Sequence, residues 1–169
     1  EVIVTGLPIG LGSCMNYDKK IDARLTLELM SIQAIKGVYF GIGFEGASLK
    51  GSQFHDAIYY KNNKISRNTN NAGGVEGGMT NGEPLCVSCF MKPISTLMKP
   101  LDSINIKTKK PAKAVVERAD VCALPAASVV AENVAAITLL DAFMEKFGSD
   151  SMNELKRNYK GYVKQAYNI

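Results

Sequence analysis

At 169 residues, with 46% hydrophobic and 21% charged residues, the chain is long enough for one buried core and short for two, so residues 1–169 are read as a single unit. Lys and Arg number 20 against 16 Asp and Glu, an excess of 4 that is scattered, which argues against the dense basic stripe of a nucleic-acid binder and suits a small anionic ligand. No run approaches the roughly 18 apolar residues that cross a bilayer, no basic-then-apolar leader opens the chain, and four cysteines (Cys14, Cys86, Cys89, Cys122) are too few and uneven for a disulfide framework, so a cytoplasmic enzyme with free thiols is expected.

The chain opens without an initiator methionine, which reads as a mature form or a piece of something longer. Its first residues, Val2-Ile-Val4, form a β-branched run that breaks into Gly6-Leu-Pro-Ile-Gly-Leu-Gly12, a strand leaving into a glycine-rich turn. Ile21, Leu25, Leu29 and Ile32 recur at helical spacing, predicting a helix over 19–31 with Asp18 as its N-cap. A strand at 35–40, punctuated by Gly41 and Gly43, follows closely. From 41 to 82 the composition turns to Gly, Asn, Ser and Lys and predicts a long loop with one pairing patch at 57–60. Residues 85–91 predict the next strand and 104–108 a short edge strand.

Residues 125–147 give the strongest helix, with Val129, Val130, Val134, Ile137, Leu140, Phe143 and Met144 in an apolar stripe and Glu132, Asp141 and Glu145 off it. Gly148 stops it, and the capping-box pattern Ser151-Met-Asn-Glu154 opens a last polar helix to about Ala166. Mixed helices and short strands joined by long loops predict an α+β fold rather than a doubly wound parallel sheet.

Several motifs reduce to ordinary structure. Gly41-Ile-Gly43-Phe-Glu-Gly46 matches a dinucleotide-binding turn, but no amphipathic helix follows to receive a pyrophosphate, and it reads as a flexible turn. Cys86-Val-Ser-Cys89 has redox or zinc spacing without a second pair; in a strand, side chains three apart face opposite ways, so these are structural thiols. His55 is the single histidine, which excludes a two-imidazole metal site and leaves a Ser-His-Asp triad without an elbow for its serine. Lys107, Lys109, Lys110 and Lys113 cluster as a solvated loop rather than an RNA-binding face.

Three stretches hold more chemistry. Residues 67–82 carry five glycines among Asn and Thr, the composition of a floppy surface loop or of a backbone-lined anion pocket. Lys92, Pro93, Ile94, Ser95 and Thr96 set one cation and two hydroxyls on a rigid turn, a workable phosphate clamp. Arg118 and Asp120, two apart in an extended segment, can share one side, pairing an anion and handling a proton; a surface ion pair is the plainer reading of that spacing.

Taken together these segments resemble chorismate synthase. The matching pieces run in family order: Gly6-Leu-Pro-Ile-Gly-Leu-Gly12, Ile21-Asp-Ala, Met30-Ser-Ile-Gln-Ala-Ile-Lys-Gly37, Gly43-Phe, Gly51-Ser, Thr69-Asn-Asn-Ala-Gly-Gly-Val-Glu-Gly-Gly-Met-Thr-Asn-Gly-Glu-Pro84, Lys92-Pro93 and Arg118-Ala-Asp-Val-Cys-Ala-Leu-Pro-Ala-Ala127. Only the C-terminal half of the family is represented; nothing here resembles its N-terminal catalytic histidine or arginine-rich segment.

The resemblance implies a layered β-α-β sandwich, homotetrameric at full length, acting as a carbon–oxygen lyase on phosphates. Its substrate would be 5-enolpyruvylshikimate 3-phosphate, its product chorismate, and its cofactor reduced FMN, with an isolated half inactive. By position it puts Gln33, Ala34, Gly78, Lys92, Pro93, Ile94, Ser95, Thr96 and Arg118 at the cofactor and makes Asp120 the proton-relaying carboxylate. Ala119 stands where many members have His, and His55 where they commonly have Asn. The alternative is a flavin- or phosphate-binding module without turnover.

Overall fold

The computed structural model describes residues 1–61, 64–118 and 121–167. Its centre is a three-stranded antiparallel sheet in the order β1-β7-β2, built from β1 (Val2–Val4), β7 (Leu85–Met91) and β2 (Ile35–Phe40). The registers Val4↔Leu85, Val2↔Val87, Phe40↔Val87 and Val38↔Cys89 put these side chains on one face. There they meet Ile21, Leu25 and Leu29 of α1 (Ile21–Ser31) and Ala131, Ala135, Leu139 and Ala142 of α4 (Leu124–Phe147) in a single core. The architecture is α+β, one sheet with a pair of helices on its inner face, and the two CxxC thiols fall as the pleat requires: Cys89 packs on the core while Cys86, free and on the other face, faces Asn70.

Between β2 and β7 the expected loop is replaced by small elements. These are α2 (Gly43–Gly46), α3 (Gly51–Phe54), the hairpin β3 (Ile58–Lys61) with β4 (Lys64–Arg67), and the hairpin β5 (Val75–Glu76) with β6 (Met79–Thr80). The glycine-rich segments let backbones meet: a Cβ on Gly41 would collide with the Asn71 carbonyl, and one on Gly73 with the Gly41 amide. After β7 comes a two-stranded arm, β8 (Asp102–Ile104) against β9 (Pro111–Lys113), so the predicted strand at 104–108 is instead mostly the turn of this arm, where the Asn105 side chain binds the amides of Lys107 and Thr108.

Two helix expectations are corrected. Asp18 sits in a 3-10 turn, Tyr17–Lys19, rather than capping α1. The first amide of α1, Ile21 N–H, is instead bound by the distant Gly78 carbonyl at 2.9 Å, so a tertiary partner satisfies a group that a local cap ordinarily would. On α4 the buried residues are the small Ala131, Ala135, Thr138 and Ala142 with Leu139 and Phe147, while the bulky Val129, Val130, Ile137 and Leu140 point outward, Ile137 with 68% of its surface exposed. α4 is also long and apolar enough to cross a bilayer by length and composition alone, unlike the sequence expectation, because its scattered acids break the apolar run without lowering the average enough; a core helix passes the same test.

Ion pairs of Arg24 with both Asp141 and Glu145 tie α1 to α4, and Lys19, in the 3-10 turn before α1, pairs with Glu145. The last helix, α5 (Met152–Tyr167), begins where Ser151 Oγ accepts the Glu154 amide at 3.2 Å, and its Tyr162 hydroxyl donates to the Ile9 carbonyl at 2.8 Å.

Candidate functional site

The turn between α1 and β2 and the end of β7 meet because β2 and β7 are antiparallel neighbours with Ile35 opposite Met91. One residue further out, the Lys92 amide donates to the Ala34 carbonyl at 2.8 Å. Ala34 takes a left-handed backbone, φ 70°, one of two described non-glycine residues with positive φ. Such a conformation costs a residue with a Cβ on the order of 1 kcal/mol and persists where the surroundings fix it. Gln33 and Lys92 are exposed beside it, followed by exposed Pro93 and Ser95 and half-buried Ile94 and Thr96. Lys92 has no ion-pair partner among the described residues.

Arg118 stands at the other foot of the arm. The ladder of β8 and β9 is prolonged by the Ala114 amide donating to the Leu101 carbonyl at 3.0 Å, and Thr96 precedes and Arg118 follows that last pairing by a few residues in the sequence. Arg118 is exposed and, among the described residues, unpaired. Asp120 and its neighbour Ala119 lie outside the described residues.

Gly78 is elsewhere. Its carbonyl caps the first residue of α1, whereas Gln33 and Ala34 follow the helix's last turn, and eleven residues at 1.5 Å rise separate those ends by about 16 Å. The predicted set therefore divides into one group at the β7 end of the sheet and a buried glycine at the opposite end of α1.

At that opposite end the structure holds a group that the sequence reading passed over. Asp56, 7% exposed, accepts the Thr69 hydroxyl at 2.5 Å and the Asn71 amide at 2.8 Å on Oδ1, and the Ala72 amide at 3.0 Å on Oδ2. Burial pushes its carboxyl up, but the Thr69 hydroxyl, the two amides and the charge of Arg67 outweigh it and hold the carboxyl below its usual range. The next amides are also taken: Gly73 donates to the Asn70 carbonyl and Gly74 to Asn70 Oδ1 at 2.8 Å. Residues 71–74 thus spend their donors inside the chain rather than on an external anion. The available signal was an Asp followed, after a hairpin, by Thr-Asn-Asn, residue types that build side-chain-to-backbone turns. Burial pushes both the Cys86 and Cys89 thiols up, which favours the protonated form over the nucleophilic thiolate.

An antiparallel three-stranded sheet, the helices packed on its inner face and glycine-rich hairpins at its end define an α+β sandwich layer rather than a doubly wound parallel fold. The family model of chorismate synthase matches residues 1–144, and the chain belongs to the chorismate synthase family. It is 57% identical over 171 residues to the chorismate synthase of Geobacter metallireducens, covering 96% of this chain and 44% of that one. Against the chorismate synthase of Caldanaerobacter subterraneus subsp. tengcongensis it is 54% identical over 164 residues, covering 96% and 47%. A crystal structure of chorismate synthase superposes with a TM-score of 0.81 at 42% identity over 99% of this chain and 43% of that chain. The chain spans less than half the length of these relatives, in keeping with the half-length resemblance read from its sequence.

Proposed function

We propose that the chain supplies the cofactor-gripping part of a chorismate synthase, a lyase that releases phosphate and a ring proton from 5-enolpyruvylshikimate 3-phosphate to give chorismate. The observation that carries this reading is the hydrogen bond from Lys92 to Ala34, which joins two distant segments that the resemblance assigns to one cofactor. The donors there suit a phosphorylated flavin: an ammonium group without a carboxylate partner among the described residues, two hydroxyls, and a turn fixed by β-ladder register. Reduced FMN, when bound, supplies electron density to a substrate that loses phosphate without net oxidation.

The chain's own residues have separate tasks. Lys92 attracts the anion, and the Ser95 and Thr96 hydroxyls orient it. Arg118 meets flavin or substrate anions from the other foot of the arm. Asp120 takes the ring proton onward as a carboxylate. The complete enzyme is cytoplasmic and homotetrameric in this reading, and the 169-residue chain alone does not turn over substrate.

The test is a titration with FMN, followed by flavin fluorescence, with and without 5-enolpyruvylshikimate 3-phosphate, on the complete enzyme and on this chain. Saturable binding abolished in Lys92→Ala and Arg118→Ala supports the assignment; wild-type affinity in both variants removes it. A flavin- or phosphate-binding module without turnover is the second reading. Asp120→Asn in the complete enzyme separates the two, since an unchanged rate removes the carboxylate's catalytic role.

A further inference from the structure

We propose that the groove between the end of α4 and α5 is a binding site for a small anion carrying a phosphate or carboxylate group, held by Lys146 and Arg157 over Gly161. None of its lining residues belongs to the Ala34 and Lys92 group, and the proposal does not rest on the flavin reading. All of them lie beyond residue 144, where the match to the family model ends.

The groove is open along one side and, at about 440 Å³, has the size of a small molecule. Contacts between the two helices pin its walls. Phe147, 3% exposed, meets the Tyr162 ring at 5.4 Å in a T-shaped contact, and Asn158 Nδ2 donates to the Phe147 carbonyl at 2.9 Å. Arg157, Gly161 and Gln165 line the groove at i, i+4 and i+8, a single stripe of α5. Glycine inside a helix is less favourable than any residue but proline. At 161 it leaves the floor without a side chain, and a Cβ built there meets nothing within 4 Å.

Two cations border this floor, and the chain's own acids leave both largely uncompensated. The Lys146 ammonium lies 4.3 Å from the centre of the Tyr162 ring and forms no ion pair among the described residues. An aromatic face holds a cation in place without cancelling its charge. Arg157 has Glu154 at 3.8 Å, an exposed pair of the kind that contributes little. Its Nε donates to Asn158 Oδ1 at 3.4 Å, which leaves guanidinium donors over for a ligand. The surrounding field has the same sign: residues 146–169 carry five Lys and Arg against two Asp and Glu, most of the net charge of +4 on the whole chain. With the Gln165 amide on the same stripe, an anion is offered a point charge, a planar fork and a neutral donor, the set that phosphate and carboxylate groups take.

The test is calorimetric titration of the complete enzyme with inorganic phosphate and, separately, with acetate. A Lys92→Ala background is used, so that phosphate at the candidate cofactor group adds no second heat. The expected result is saturable binding of at least one anion that weakens about tenfold in Lys146→Ala and in Arg157→Ala, the size of one charge-assisted bond. Gly161→Leu fills the groove and abolishes it, while Lys160→Ala, which removes a charge from α5 outside the groove lining, leaves it unchanged. Tighter binding of phosphate than of acetate assigns a phosphorylated ligand, and the reverse a carboxylate. Leucine is a better helix former than glycine, and thermal melts verify that the variant folds; should it not, the two charge variants decide the matter by the same titration. No heat with either anion, or binding untouched by the groove variants, overturns the proposal. Equal weakening in Lys160→Ala overturns it too, because the anions would then be sensing only the overall positive charge of α5.

Discussion

Ala34 holds a left-handed backbone at the point where α1 hands over to β2, and its carbonyl is the acceptor for Lys92. A β-branched residue tolerates that conformation worst, so Ala34→Val should lose about 1–3 kcal/mol of stability. Ala34→Gly relieves the Cβ at the expense of a looser unfolded chain and should fall between neutral and about 1 kcal/mol more stable. Denaturant melts of the two variants check this; equal losses in both would show that φ is not the cause. Asp56 makes a second prediction, about acid. Its folded carboxyl titrates below the ordinary value of 3.8, so its contribution is complete above that pH and is lost as pH falls through the depressed value. Glu145, which Lys19 and Arg24 hold below its ordinary value, acts in the same sense. Stability should therefore decline below about pH 4, and Asp56→Asn should flatten that decline in acid melting curves.

Helix α4 carries its argument in the sizes of its side chains. Alanines at 131, 135 and 142 let α1 approach closely, and Ala135 is fully buried. Ala135→Leu should overpack this contact and cost about 1–3 kcal/mol or more, while Ile137→Lys on the outer face should change the stability of this chain by less than about 0.5 kcal/mol. Thermal melts of the two variants test it, and equal effects would mean that the buried face is misassigned. The sequence made the existence and ends of α4, β1, β2 and β7 readable, because each is a periodic or β-branched run bounded by glycine or proline. It did not make the burial side of α4 readable, since counting bulky residues favours the face that this chain leaves exposed. Nor did it reveal the cap of α1, which is a carbonyl from a hairpin far along the chain. The motifs at Gln33, Ala34 and Lys92 lie on segments that the fold joins through the Lys92 to Ala34 bond, and their part in a cofactor site belongs to the proposal. Asp56 was not legible, because its meaning depends on three donors that only folding brings to it.

At the scale of the whole molecule, apolar surface is left on the outer face of α4 and on the arm, where Met98, Leu101, Ile104, Ile106 and Val115 are exposed. Exposed apolar side chains gathered on one element are surface that a partner can cover. The relatives are more than twice as long as the matched region, and in the proposed reading the remaining length and neighbouring subunits cover these faces. The purified 169-residue chain is accordingly expected to bind a hydrophobic dye and to form no chorismate from 5-enolpyruvylshikimate 3-phosphate and reduced FMN. Product formation at a rate near that of the complete enzyme would contradict the assignment of an incomplete site.

The sheet order has a kinetic meaning as well. β1 and β2 both bond to β7 and not to each other, so Val2 must wait for Val87 and Phe40 for the same strand. Pairings this distant along the chain close loops before any ladder energy is returned, which places such topologies toward the slow, millisecond-to-second end of folding. During synthesis β1, two valines and an isoleucine, cannot take its place in this sheet until β7 has emerged, and α1 cannot receive its cap from Gly78 much sooner. The order of emergence thus makes the glycine-rich hairpins and β7 the step on which the rest of the chain closes.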